Sequence, residues 1–275
     1  MNFIDSLPIN QLIKTLSEKK GSIIKFDELK DKLLRKNNDG YPVYHVNVKE
    51  YDNLAIIYYN NIPENIDTNN FFNKIETTCR SYIIEKSTLK PIASQYNKIL
   101  YNDEAKEFLK DKNWSQVQVQ KCYEGTMLLV FNYDNIWYVS TRRCLNAEDS
   151  KWIKNKSYRE MFDEAMNSKF TFNDLNKDYC YFFILVHHKN KNLINYNKFG
   201  KDYKMLFHIL TTKKYTLEEV NNKIKGANYI ESESFENYNK LINTLDSISA
   251  DNEANFRITE RTQLKVKMKN LTISI

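Results

Sequence analysis

Apolar residues recur along the chain at two periods, and the period switches repeatedly. Over 26–36, Phe26, Leu29, Leu33 and Leu34 return at helical spacing, and 9–19 shows the same amphipathic pattern. Tyr44, Val46 and Val48 alternate instead, as in a half-buried strand. Further strands are predicted at 54–60, 80–86, 117–121, 126–133, 136–142, 179–187, 191–197, 203–210, 254–259 and 262–269, and helices at 103–111, 157–167, 216–224 and 234–246. Strands in hairpin-like succession with interspersed helices predict an α+β fold of mainly antiparallel sheets with flanking helices.

Glycine is scarce, with five in the chain, so its positions carry information. Gly125 lies between two strand patterns, Val117-Gln-Val119 and Met127 to Phe131. The pattern predicts a tight connection there, with the missing Cβ allowing a positive φ or close approach of a ligand.

Composition narrows the picture. No repeat or low-complexity linker divides the 275 residues, which are read as one domain over 1–275. The net charge of +6 and pI near 8.8 are compatible with a phosphate-bearing partner. The longest apolar run, Tyr179 to Val186, is too short to span a membrane, and no signal peptide is recognisable, so a cytoplasmic protein without a membrane partner is expected. Cysteines 79, 122, 144 and 180 form no Cys-x-x-Cys pair, which argues against a zinc ribbon and fits a reducing compartment. Abundant Asn, Lys, Ile and Tyr suggest an AT-rich genome, such as that of a large virus or mobile element. His187 and His188 invite a metal reading, but neighbours on a strand face opposite sides and are not expected to share an ion. The tyrosines and phenylalanines include candidate stacking platforms for bases, although core packing explains most of them.

Six segments occur in an order that points further. Cys122-Tyr-Glu-Gly-Thr-Met127 resembles the Lys-x-Asp-Gly motif of covalent nucleotidyltransferases, and Tyr138-Val-Ser-Thr-Arg142 resembles the strand that follows it in phage-type RNA ligases. Upstream, Cys79-Arg80-Ser81 resembles a Cys-Arg-Gly segment; Ile92-Ala-Ser94 and Lys98-Ile-Leu-Tyr-Asn102 follow it. Downstream, Phe182 to Val186 with Asn190-Lys191 is similar to Phe-Glu-apolar-Val-x-Pro-x-Asn-Arg. Glu253-Ala254 followed by Leu264-Lys-Val-Lys267 is similar to the closing Glu-Gly and Lys-x-Lys motifs. The chain thus resembles the phage-type ATP-dependent RNA ligases over 79–269, with 1–70 as an N-terminal helical and strand subregion.

That resemblance implies a nucleotidyltransferase core. It also implies chemistry in which a lysine attacks ATP to form a lysyl-adenylate, with Mg2+ and further lysines countering charge on phosphorus. By the same resemblance Lys265 and Lys267 contact phosphate, Arg80 and Lys98 contact nucleotide or RNA, Glu124 and Gly125 belong to the nucleotide loop, and Glu253 is the metal carboxylate. The departures are equally specific. Cys122 holds the nucleophile position, and Lys121 lies one residue early, which on a strand reverses the side-chain face unless a bulge intervenes. Ile184 replaces a glutamate, Ala254 a glycine, Gln95 an arginine and His188 a proline.

Three functions follow. The first is an RNA-ligase-like protein that binds nucleotide, or RNA such as tRNA or cleaved ends, through a degenerate site, as a decoy, protector or immunity factor. The second is a working ATP-dependent RNA ligase using Lys121. The third is a capping-type guanylyltransferase or a DNA ligase fragment. Few residues follow Lys267, so neither an OB domain nor an RNA-specificity domain is expected after it.

Overall fold

The computed structural model describes residues 3–59, 74–95, 99–100, 102–121, 123–153, 156–167, 169–190, 192, 196–230, 232–255, 264–268 and 271–274. The chain begins with α1 (Phe3–Ser6), α2 (Pro8–Lys20) and α3 (Phe26–Leu33), then β1 (Val46–Glu50), β2 (Leu54–Tyr59), α4 (Ile75–Thr78), β3 (Tyr82–Glu85) and β4 (Pro91–Ser94). It continues through α5 (Asn102–Leu109), β5 (Gln118–Lys121), β6 (Thr126–Tyr133), β7 (Ile136–Ser140), β8 (Lys151–Ile153), β9 (Lys156–Ser157) and α6 (Tyr158–Met166). The last elements are β10 (Tyr179–His187), β11 (Lys204–Lys213), β12 (Glu219–Val220), β13 (Asn228–Tyr229), β14 (Ser232–Glu233), α7 (Tyr238–Asn255), β15 (Leu264–Met268) and β16 (Leu271–Ser274).

Local sequence explains the helix ends. Pro8 opens α2, where its missing N–H costs nothing, and Gly21 closes it in the left-handed region at φ 73°. Ser157 caps α6: its Oγ accepts from the Glu160 N–H at 3.2 Å, and the Glu160 carboxylate accepts from the Ser157 N–H at 2.6 Å.

Alternation along the strands builds the layers. The first sheet runs β1-β2-β3-β4; a larger one runs β12-β11-β10-β6-β7 with β13 parallel to β11; a third runs β14-β5-β15-β16. Even residues of β10 (Cys180, Phe182, Ile184 and Val186) meet Leu54, Ile56 and Ile83 of the first sheet, so these two sheets pack face to face. Odd residues Tyr181, Phe183 and Leu185 pack on Met161 and Phe162 of α6. Ala55, Ile57, Tyr82 and Ile84, on the other face of the first sheet, pack on Leu29 and Leu33 of α3. The result is helix, sheet, sheet, helix, with the third sheet packed separately against α5 and α7 through Val119, Leu109, Leu241 and Leu245.

The mainly antiparallel α+β architecture agrees with the sequence pattern, and several details do not. The helix expected at 216–224 is absent. Tyr215 and Leu217 have positive φ, and the chain turns back to pair Val220 with Thr211 and Glu219 with Thr212. An edge strand satisfies the same apolar spacing. The second predicted helix stops at Leu33, where an isolated bridge joins Lys36 to Pro42. β4 escapes the pattern because Pro91 opens it, a residue tolerated at a strand start. The strand expected at 254–259 begins inside α7, and 256–259 lie outside the described residues. Of 191–197, only Asn192, Tyr196 and Asn197 are described, and Asn197 opens a 3-10 turn.

Candidate functional site

β5 and β6 are not a hairpin, contrary to the expectation around Gly125. β5 pairs with β14 and β15 in the third sheet, and β6 pairs with β10 and β7 in the large sheet. The link between them therefore carries the chain from one sheet to another. Gly125 does not have a positive φ. Its role is close approach: a Cβ there would lie 2.5 Å from the Leu185 carbonyl oxygen and 2.8 Å from Ile184 Cγ2. The neighbour is the protein's own β10 backbone rather than a ligand. Beside it, Tyr123 stacks on Phe207 at 4.1 Å between centroids with 9° between planes. The Tyr196 hydroxyl accepts from the Glu124 N–H at 2.6 Å. These aromatic contacts fix the link against β11 and the core between the sheets.

The third sheet sets the register of the lysines. β15 places Lys265 opposite Gln120 and Lys267 opposite Gln118, whereas Lys121 is opposite Leu264 and shares the row set of Val119 and Val266. Lys121 thus falls on the alternate set from Lys265 and Lys267, because strand positions alternate between faces. Cys122 lies outside the described residues, as does Lys98. The two glutamines of the Lys265 and Lys267 rows line a cavity of about 460 Å³, together with His208 and Thr211 of β11, Glu219 of β12 and Tyr229 of β13. His208 Nε2 and Thr211 Oγ1 are 2.8 Å apart. The volume suits a small polar ligand of nucleotide size.

A second group forms at the ends of β2, β3 and β7. Arg80 Nη1 reaches the Tyr59 hydroxyl at 3.5 Å, and the Arg142 guanidinium covers the Tyr59 ring at 4.9 Å. Among the described residues, Arg80 Nε, Ser81 Oγ and both amide atoms of Gln95 are buried without a hydrogen-bond partner. The Gln95 N–H donates to the Ser81 carbonyl at 3.0 Å, which holds the two segments together. Leaving one buried polar group unpaired costs about 1–3 kcal/mol, which makes this cluster a candidate site for a polar partner.

Other sequence candidates separate from these groups. Ile184 is buried in the core between the sheets, opposite Met127 and Phe207. Glu253 sits in the last turns of α7, on a helix rather than at a strand end. His187 and His188 do not diverge as expected: β10 ends at His187, alternation stops there, and the rings stack at 4.7 Å. His187 Nδ1 accepts from the Lys189 N–H at 3.0 Å, which places the proton on Nε2 facing Glu164 at 3.1 Å. Burial holds the His187 pKa down at about 4. Glu164 also receives Lys156 and, at 3.1 Å, Lys204. Its carboxyl is lowered to about 2, first by the Lys156 hydrogen bond. Both imidazole nitrogens are engaged, and no group of three or more metal-type ligands occurs among the described residues.

Arg142, Tyr59, Gln118 and Gln120 were not singled out by sequence. The glutamines were visible as the polar half of the Val117–Gln120 alternation, and Arg142 closed a segment already noted, but only register and sheet packing give them neighbours.

The mixed helix and antiparallel-sheet arrangement is the nucleotidyltransferase fold of ATP-dependent ligases. Two structures of an archaeal ATP-dependent RNA ligase superimpose on the chain, form 2 with a TM-score of 0.53 at 9% identity and form 1 with 0.51 at 10%. The superpositions cover 91% and 92% of this chain and 64% of each ligase chain, so the chain spans less than two thirds of their length. At that identity the likeness establishes the fold alone. No family model matches the chain. In sequence, the chain is 33% identical over 97 residues to the "Immediate-early protein ICP-46 homolog" of Invertebrate iridescent virus 3, a match covering 32% of this chain and 21% of that protein.

Proposed function

We propose that the chain binds a nucleotide and RNA on a ligase-type fold without forming a lysyl-adenylate. The observation that carries this reading is the register of the third sheet. Lys265 and Lys267 share rows with the glutamines lining the cavity, and Lys121 belongs to the alternate set. A covalent step needs the nucleophile on the side where the phosphate is held, and the nearest lysine in sequence falls on the other set. The cavity volume is in the range of small-ligand sites, and Lys265 and Lys267 are in register with its two glutamines. Mg2+ fits less well: Ile184, which packs in the core, holds the position of an expected carboxylate and cannot ligate a metal. We therefore derive no step through the metal.

In this reading Lys265 and Lys267 counter phosphate charge, and Arg80, with the unpaired Gln95 and Ser81, receives a phosphate or a polar group of RNA. A role as decoy or protector of RNA ends, in a virus or mobile element, accords with the AT-biased composition and with the iridescent-virus similarity.

The test is incubation with Mg2+ and α-labelled ATP, then denaturation and assay for covalent label. We expect no label together with measurable ATP or RNA binding. Label that is lost in Lys121→Ala and kept in Cys122→Ala would establish a working ligase instead.

A further inference from the structure

Ten consecutive residues, 34–43, are exposed between α3 and β1, yet their backbone is ordered by hydrogen bonds. The Asn37 carboxamide oxygen accepts from the Asp39 N–H at 3.0 Å and the Tyr41 N–H at 2.9 Å. The Asn37 N–H donates to the Tyr41 carbonyl at 2.8 Å, the Gly40 N–H to the Asn37 carbonyl at 3.0 Å, and the Val43 N–H to the Arg35 carbonyl at 2.9 Å. Gly40, at φ 83°, supplies the left-handed residue that this small hairpin needs.

The hairpin holds an unusual set of side chains in solvent. Tyr41 is 68% exposed, and Leu34 and Val43 are 41% and 42% exposed. Across the hairpin from Pro42 and Val43 stand Lys36 and Arg35. Among the described residues neither cation makes an ion pair, as is also true of Lys25 and Lys32 beside the hairpin, whereas Lys20 and Lys30 are paired. Asp39 at the tip is the one acid within the hairpin. A protein partner would call for a broad apolar patch. Here one exposed ring and two cations share the hairpin with the smaller exposed side chains of Leu34, Pro42 and Val43, a set that matches a base to stack on and phosphates to neutralise.

We propose that this hairpin is a contact for single-stranded nucleic acid, with Tyr41 stacking on a base and Arg35 and Lys36 on adjacent phosphates. The proposal rests on the reading that the chain engages nucleic acid, but none of its residues lines the cavity or belongs to the Arg80 group. Its order before binding reduces the entropy that stacking must overcome.

The test is fluorescence anisotropy of the full chain with a labelled single-stranded oligonucleotide, as RNA and as DNA of the same sequence, over a range of salt. Tyr41→Ala is expected to weaken binding about fivefold or more, and Tyr41→Phe to leave it near wild type. Arg35→Gln with Lys36→Gln should reduce the slope of log affinity against log salt by about 1.4, at about 0.7 per phosphate. A larger effect with RNA than with DNA, or an equal one, supports the contact and separates its two ligands. Unchanged affinity in Tyr41→Ala with an unchanged salt slope in the double variant overturns the proposal. So does a Tyr41→Ala effect on self-association alone, which would assign the surface to a second copy. ATP binding measured on the same variants should not move. Its loss in the wild type would sink the nucleotide-binding reading while leaving the hairpin result intact.

Discussion

Gly125 lies where the chain crosses from the third sheet to the large sheet, packed against β10. Scarcity of glycine and the flanking strands marked the position, and a turn was the simplest local explanation. The structure assigns the requirement to β10, whose Leu185 carbonyl occupies the space a Cβ would need. Gly125→Ala should therefore force the backbone apart and destabilise the protein by about 1–3 kcal/mol, seen as a lower urea midpoint with an unchanged slope. An unchanged midpoint would mean that the link can relax away from β10. Ile184 shows the same limit of local reading. Its type could be compared with a family pattern, but its burial between two sheets depends on residues far along the chain.

Among elements, those with a strong period of their own are legible in sequence. α6 is an example: Ser157 and Glu160 cap it, and Tyr158, Met161, Phe162 and Ala165 form its buried stripe. Ser157→Ala should cost about 1 kcal/mol in denaturant unfolding, and Ser157→Asp, which can still accept the Glu160 N–H, should recover most of it. An equal loss in both variants would argue against the cap. Long strands were equally legible, from 54–60 to 179–187, and the misses fell on short edge pieces. β12 was taken for a helix because its apolar spacing suits both, and the choice fell to the open edge of β11. The lysine strand was read correctly as a strand, yet its meaning came from the register that sets Lys265 and Lys267 against Gln120 and Gln118.

Across the whole molecule, Glu164 ties α6 to β9, β10 and β11 through Lys156, His187 and Lys204. Unfolding releases both titrating groups. His187 has a folded pKa near 4 against an ordinary 6.5, so the unfolded chain binds the extra proton between those values. Stability is then full above about pH 6.5 and falls as pH drops towards 4, by at most about 1.4 kcal/mol per pH unit for that one proton. Glu164, lowered from 4.5 to about 2, adds a further loss as pH falls through that lower window. Urea midpoints at pH 7 and pH 5 should differ, and His187→Gln should flatten the difference. A wild-type protein equally stable at both values would exclude His187 as the cause.

Sequence by itself determined the alternation of helix and strand and the mainly antiparallel class, while the nucleotidyltransferase core was what the resemblance of its ordered segments implied. The alternation and the class follow from interactions within a few residues, where the period acts. Tertiary structure alone decided that β5 and β6 part into different sheets, that Lys121 and the later lysines occupy alternate row sets, and that Arg80 and Arg142 meet at Tyr59. Each of these is a contact between segments distant in sequence. Cross-strand register and the packing of one sheet on another fix such contacts, and a local pattern holds no record of either.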